Sequence, residues 1–390
     1  MTDDNCYVAV ASPLAASSCA EGPAAVEQAV TGAVGGLGGG PPALVLVFHD
    51  VGMAPQEALA QAAAAAPGCR LVGMTSRVVM SATGVRPGGS SALAFGPPVS
   101  VGVGLARDAS RDLHGAGRAA AEEALAGLRV RPNHGVLLLF LDPRSGDQAA
   151  AIDGAYAVAG HRIPLAGGGA DGSAPSVMVD RVHCADAVVA VGLSSPGPIG
   201  VGVAHGCRRR SVPAIATRTE GRTVRELDGR PAEEVYLEAL GLPSVALDDE
   251  AFEALAVMHP LAQPELRGEL RLRHVISRGK GGGLACATAI PPNAAVWFTE
   301  QTDQTIIDSA AAAVQDALKP LPRRPEAGLV FDCAARRRAL GSRLGDEAGA
   351  LTSAFGGVPA LAGLYTRGEV GRTRGAKGDR NHAIVVVAFG

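Results

Sequence analysis

Between residues 365 and 371 the chain reads Tyr365-Thr366-Arg367-Gly368-Glu369-Val370-Gly371, placing a phenol, a hydroxyl, a guanidinium and a carboxylate side by side. Such groups on one loop can hold the amine and the carboxylate of a small zwitterion through charge-assisted hydrogen bonds. The alternative is a structural turn in which Glu369 pairs with Arg367 or Arg372 and Gly368 only reverses the chain. Asn381 and His382 stand just before the last apolar run, so strand pairing would carry them to the same rim. Thr75 and Ser76, and Gly168 and Asp171, occupy comparable loops earlier in the chain, and with His205 they complete the candidate ligand-binding set.

Other motifs carry less. Gly167-Gly168-Gly169-Ala170-Asp171-Gly172 matches the dinucleotide spacing, but that fingerprint needs a helix to open inside the glycines, and Ser173-Ala174-Pro175-Ser176 follows instead. A glycine-rich turn that faces a ligand or only shapes the backbone is the reading. Nine histidines include no H-E-x-x-H. His205 and His382, each at a strand end, are the two that would serve as an iron ligand if haem were bound; a hydrogen-bonded structural role is the competing reading. No nucleophile elbow or lactamase-type motif supports a hydrolase, which stays open only because triads are recognised by geometry. No catalytic residue and no metal site is assigned. The seven cysteines include no C-x-x-C pair and suit neither a disulfide framework nor a zinc site.

The elements that must position these residues repeat. Residues 44–96, 136–194 and 328–390 each give an apolar strand, a helical stretch, a second strand ending in a small-residue loop, and a closing apolar strand. Gly73, Gly167 and Gly363 fall at matching places, so the three units predict equivalent positions for them and a site where equivalent loops converge. A first strand is expected near residues 7–11. Ile199-Gly200-Val201-Gly202-Val203-Ala204 alternates as a strand and reads as the sequel of the second repeat. The third repeat draws its partner elements from Leu270 to Leu318. The fold class is α/β (α+β), mixed sheets flanked by helices. A division near 243–250 would give domains 1–243, with two units, and 250–390, with the third.

Composition excludes some classes. A net charge of -3 over 390 residues offers no field for a nucleic acid. The basic clusters Arg208-Arg209-Arg210 and Arg336-Arg337-Arg338 read as solvated faces at a rim. The acidic start lacks a signal peptide and no run approaches the ~18 apolar residues a membrane span needs, so a cytoplasmic location is expected. With one Trp, four Tyr and eight Phe, a large aromatic slot for a porphyrin is disfavoured.

Several segments resemble the FIST family of paired N-terminal and C-terminal sensory domains. They are Ile199 to Gly206, Glu220 to Ala232, His259-Pro260, Leu329 to Arg336, Leu361 to Gly371 and Asn381-His382, in the family's order and over nearly the whole chain. One loop departs. Where the family has a Gly-Cys-Thr-Thr-Ala-Gly-Glu-like run, this chain has Gly73-Met74-Thr75-Ser76-Arg77-Val78-Val79, so the Gly-Glu pair survives only in the third unit. The resemblance implies sensing rather than catalysis: a small-molecule ligand, with amino acids proposed, and a separate signalling partner such as a histidine kinase. It also implies haem-binding nitric-oxide sensing as an alternative.

Overall fold

A computed structural model describes residues 13–129, 134–242, 247–265, 268–358, 360–373 and 378–390; the strand expected at 7–11 lies outside them. The larger body is three six-stranded mixed sheets built from three units of one plan. Unit one comprises β1 (Ala15–Glu21), α1 (Ala25–Gly35), β2 (Leu44–Asp50), α2 (Pro55–Ala65), β3 (Leu71–Ser76), the hairpin β4 (Val78–Ser81) and β5 (Gly84–Pro87), and β6 (Gly89–Phe95). Unit two repeats it as β7 (Ser100–Arg107), α3 (Leu113–Ala126), β8 (His134–Leu141), α4 (Gln148–Ala159), β9 (Leu165–Gly169), the hairpin β10 (Val177–Val179) and β11 (Val182–Cys184), and β12 (Ala187–Ser195). Unit three opens with β13 (Ile199–Ala204), and the chain then leaves it for a second, smaller body.

That smaller body spans residues 206–302. Its strands are β14 (Arg208–Arg209), β15 (Ala214–Ile215), β16 (Arg218–Glu220), β17 (Thr223–Leu227) and β18 (Arg230–Pro231), then β19 (Leu261–Pro264), β20 (Leu270–Arg273), β21 (Val275–Gly279), β22 (Gly283–Cys286) and β23 (Ala295–Glu300). Helices α5 (Ala232–Ala239) and α6 (Asp249–Met258) lie between β18 and β19. Tyr236 and Leu237 of α5 and Phe252 and Ala256 of α6 share one core with Leu261 and Phe298. The expected division near 243–250 therefore ends inside α6, and residues 243–246 lie outside the described residues. The chain then resumes unit three with α7 (Asp303–Leu318), β24 (Ala327–Cys333), α8 (Ala334–Leu340), α9 (Leu344–Phe355), β25 (Ala360–Thr366), the hairpin β26 (Glu369–Arg372) and β27 (Asp379–Arg380), and β28 (Ile384–Phe389).

In each unit the opening strand pairs parallel with the second strand and antiparallel with the closing strand: β2 with β3 and β6, β8 with β9 and β12, β24 with β25 and β28. These strands are buried on both faces, which is why they read as continuous apolar runs rather than as alternation. Leu46 and Phe48, Leu138 and Phe140, and Leu329 and Phe331 point to one shared core, while Val47, Leu139 and Val330 face the helices of their own units. The rings of Phe48, Phe140 and Phe331 meet at centroid distances of 6.0–6.4 Å. Register places Gly73 opposite Val47, Gly167 opposite Leu139 and Gly363 opposite Val330, the same position in each unit.

Two features depart from the expectations above. Strand β13 is the edge of the third sheet, paired with β28, and not a sequel of the second unit. Its match in plan to β1 and β7 was hidden by the roughly hundred-residue body inserted after it. Each unit also lends its hairpin to a neighbour: β4 pairs with β25, β10 with β3, and β26 with β9. The exchange is cyclic, so no unit closes its own sheet. Among the described residues no helix is long and apolar enough to cross a membrane.

Candidate functional site

Crevices outside the carboxyl ends of parallel strands are where open α/β sheets bind ligands. Here a cleft of about 520 Å³ lies at the carboxyl ends of β8–β9 and β24–β25. The smaller body, through Arg222, Val257, His274, Ile276, Ala287 and Thr288, forms its opposite wall. Several ties hold that wall in place. Asp147 caps α4 by accepting from the Ala149 N–H at 3.1 Å, and its other oxygen accepts from the Ala289 N–H at 3.1 Å. Asp379 takes Arg271 at 3.0 Å and the buried Arg273 at 2.8 Å. Asn381 Oδ1 accepts from the His274 backbone N–H at 3.1 Å.

The structure brings together Asp171, Thr366, Arg367, Glu369 and Asn381, all on the cleft. Asp171 is 1% exposed; its Oδ1 accepts from Arg367 Nε at 2.8 Å, and Oδ2 lies 3.6 Å from the Arg337 guanidinium. Arg367 thus bonds Asp171 of another unit, and not its neighbour Glu369. Thr75 supports this arrangement from behind: its Oγ1 donates to the Asp171 carbonyl at 3.0 Å. Gly168 does not line the cleft; a Cβ there would meet the Thr366 side chain at 2.8 Å, so the glycine makes room for Thr366.

The remaining candidates lie elsewhere. Ser76 Oγ lies 2.8 Å from the carbonyls of both Val78 and Tyr365, and its one proton serves either of them. Tyr365 points to the helix side of its sheet and donates to Glu347 Oε2 at 2.7 Å. Adjacent residues of a strand face opposite sides, so Tyr365 and Thr366 cannot both reach one cleft. His205 has both ring nitrogens engaged, Nε2 with the Leu270 carbonyl at 3.1 Å and Nδ1 accepting from the Cys207 N–H at 3.3 Å. His382 is fully buried, with Nε2 2.8 Å from His274 Nδ1 and Nδ1 3.4 Å from Gln301 Nε2. Burial pushes His205 and His274 down to about 4, so these imidazoles are neutral. With every nitrogen so engaged, neither His205 nor His382 fits as an axial haem ligand here. Among the described residues no group of three or more His, Cys, Asp or Glu could hold a metal.

Glu369 is the unusual acid. It is 1% exposed on β26, accepts the Ala383 N–H at 3.4 Å and lies 3.1 Å from Thr366 Oγ1. The single Thr366 hydroxyl proton is within reach of both the Asp332 carbonyl at 3.0 Å and Glu369 Oε1 at 3.1 Å, and serves one of them at a time. Desolvation pushes Glu369 up to about 8. An acid raised in the folded state stabilises the fold below its unfolded value near 4.5, and that contribution is lost as pH rises through about 8. Glu369→Gln is therefore expected to raise the melting temperature at pH 8 and leave it nearly unchanged at pH 4, as thermal melts across that range would show. Equal shifts at both ends would mean an ionised carboxylate.

Sequence reasoning missed Gln148, Arg337, Arg222 and His274. Of the buried polar atoms on cleft-lining residues, Gln148 Oε1, Asp171 Oδ2 and Arg337 Nε have no hydrogen-bond partner, and Asp379 Oδ2 has its ion pair with Arg273 at 2.8 Å. The orientation of Gln148 is set by its Nε2, which donates to the Arg367 carbonyl at 2.9 Å. The cluster read as a solvated face divides by helical position: Arg336 is fully buried, whereas Arg337 and Arg338 line the cleft. The available signal for Arg337 is its place in α8, directly after the opening strand β24. The cleft's thiol, Cys333, is held well above its usual range by burial and by the nearby Glu369, which suits a packed residue better than a nucleophile.

The architecture is that of an α/β protein with mixed sheets flanked by helices, in two bodies with a cleft between them. Residues 43–230 match the FIST N domain and residues 232–372 the FIST C domain, and the chain belongs to the FIST family. FIST domains are sensory domains of signal transduction. Among curated relatives, the uncharacterized protein Rv0628c of Mycobacterium tuberculosis is 29% identical over 194 residues, which is 47% of this chain and 49% of that protein. The uncharacterized protein Mb0898c of Mycobacterium bovis is 28% identical over 191 residues, again 47% and 49%. The matches thus span about half the length of these relatives. A solved cyanuric acid hydrolase from A. caulinodans aligns over 97% of this chain and 99% of its own at 12% identity and a TM-score of 0.35.

Proposed function

We propose that the cleft binds a small zwitterion, an α-amino acid, and that its occupancy is passed to a separate signalling partner through the seating of the smaller body. The observation that carries this reading is the trio of unpartnered atoms, two acceptors on Gln148 and Asp171 and one donor on Arg337. Polar atoms withdrawn from water are normally paired, because each one left unpaired costs roughly 1–3 kcal/mol. An ammonium would satisfy the two acceptors and a carboxylate the donor. The Arg337 side chain is 28% exposed and its contact with Asp171 is long, so it can swing toward a carboxylate and uncover Asp171. Such a ligand would also bridge the two bodies, since the opposite wall belongs to residues 206–302. That bridging is the physical basis for a signal.

Calorimetric titration of the full chain with the twenty amino acids tests the reading. A charge-assisted hydrogen bond of about 1.5–3 kcal/mol means that Asp171→Asn should weaken binding about ten- to hundredfold. No binding by any amino acid, or equal binding by Asp171→Asn with its fold intact, would overturn it.

A further inference from the structure

The cleft holds more positive charge than the head group of an amino acid requires. Five arginines line it: Arg222, Arg337, Arg338, Arg367 and Arg380. Three have carboxylates of their own: Arg367 has Asp171 at 2.8 Å, Arg338 has Glu253 at 3.1 Å and Arg380 has Glu265 at 2.8 Å. Arg337 shares Asp171 at 3.6 Å. Asp379 is taken by Arg271 and Arg273, and burial holds Glu369 up at about 8. Arg222 stands apart. Its guanidinium makes one long bond, Nη1 to the Ala287 carbonyl at 3.4 Å, and no carboxylate pairs with it among the described residues.

Position gives this excess a meaning. Arg222 sits on the turn between β16 and β17 in the smaller body, on the wall facing the one that holds Asp171, Gln148 and Arg337. The apolar side chains of Ile152, Val257 and Ile276 also line the cleft, and suit methylene groups better than polar atoms. We infer that the ligand is an α-amino acid whose side chain ends in an anionic group, the head group held by Asp171, Gln148 and Arg337 and the distal anion received by Arg222. This inference rests on the amino-acid reading above and adds the class of side chain. A carboxylate gains two N–H donors in parallel from a guanidinium, which a neutral amide cannot match.

The test is calorimetric titration of the full chain, at one salt concentration, with L-glutamate, L-2-aminoadipate, L-glutamine and glutarate. One of the two acidic amino acids is expected to bind about tenfold or more tightly than L-glutamine, in line with one charge-assisted contact. Arg222→Gln should erase that preference, costing the acidic amino acid more affinity than it costs L-glutamine, and Arg222→Lys should keep most of it. Glutamine binding as tightly as both acids, or a preference that survives Arg222→Gln, overturns this inference while leaving the amino-acid reading in place. Glutarate binding as tightly as glutamate would show that the amine is not recognised and would overturn both.

Discussion

Arg336→Leu should cost about 3–5 kcal/mol of folding stability, the usual loss when one member of a buried ion pair is removed. The Arg336 guanidinium is fully buried beneath the cleft. It contacts Asp332 Oδ1 at 2.8 Å and Glu347 Oε1 at 2.6 Å, and donates to Ser309 Oγ and the Ile306 carbonyl at 2.7 and 3.0 Å. Burial opposes its charge, but the two acids overcome that and hold the guanidinium protonated. Burial and the neighbouring Glu347 carboxylate push Asp332 well above the usual range. Leucine would leave the buried Glu347 without its guanidinium, retaining the Tyr365 hydroxyl at 2.7 Å. Arg337→Leu, one residue on but part-exposed, should cost under about 1 kcal/mol. Urea denaturation of both variants checks the contrast, and adding Glu347→Gln to Arg336→Leu should recover part of the loss. Equal midpoints for the two single variants would mean that the buried network contributes nothing particular.

The second large effect concerns the three equivalent glycines. A Cβ at Gly73 would lie 2.0 Å from the Val47 carbonyl oxygen, and one at Gly167 2.0 Å from that of Leu139, atoms of the partner strand that cannot step aside. Gly167 also has φ +138, a region that L side chains rarely adopt. At Gly363 the same contacts are 2.8–2.9 Å. Overpacking of about 1–3 kcal/mol, with roughly 1–2 more for the strained backbone, puts Gly167→Ala at about 2–5 kcal/mol. Gly73→Ala should follow and Gly363→Ala should cost least. Thermal melts of the three alanine variants give the ranking directly; a flat series would contradict the close approach of opening and second strands.

The opening strands, the second strands and the three glycines were legible because a strand buried on both faces needs an unbroken apolar run, and its crossover needs a helix. Asp171 and the Thr366–Glu369 turn were legible because their chemistry stands at the carboxyl ends of those strands. The hairpin exchange was not, since β4 or β26 pairs as well, by local sequence, with its own unit as with a neighbour's. Tyr365 and Ser76 misled because proximity in sequence was allowed to outweigh strand parity. Gln148 and Arg222 carry no motif. Their importance comes from an unpaired oxygen and an unmatched charge, which only the folded arrangement reveals.

Native mass spectrometry of the full chain mixed with equimolar amounts of the twenty amino acids tests the central claim most directly, because the added mass identifies the ligand except between the isomers leucine and isoleucine. The expected result is a single one-to-one adduct with the mass of an amino acid, lost or much reduced in Asp171→Asn. No adduct, or one that Asp171→Asn retains in full, would contradict the assignment of this cleft as an amino-acid site.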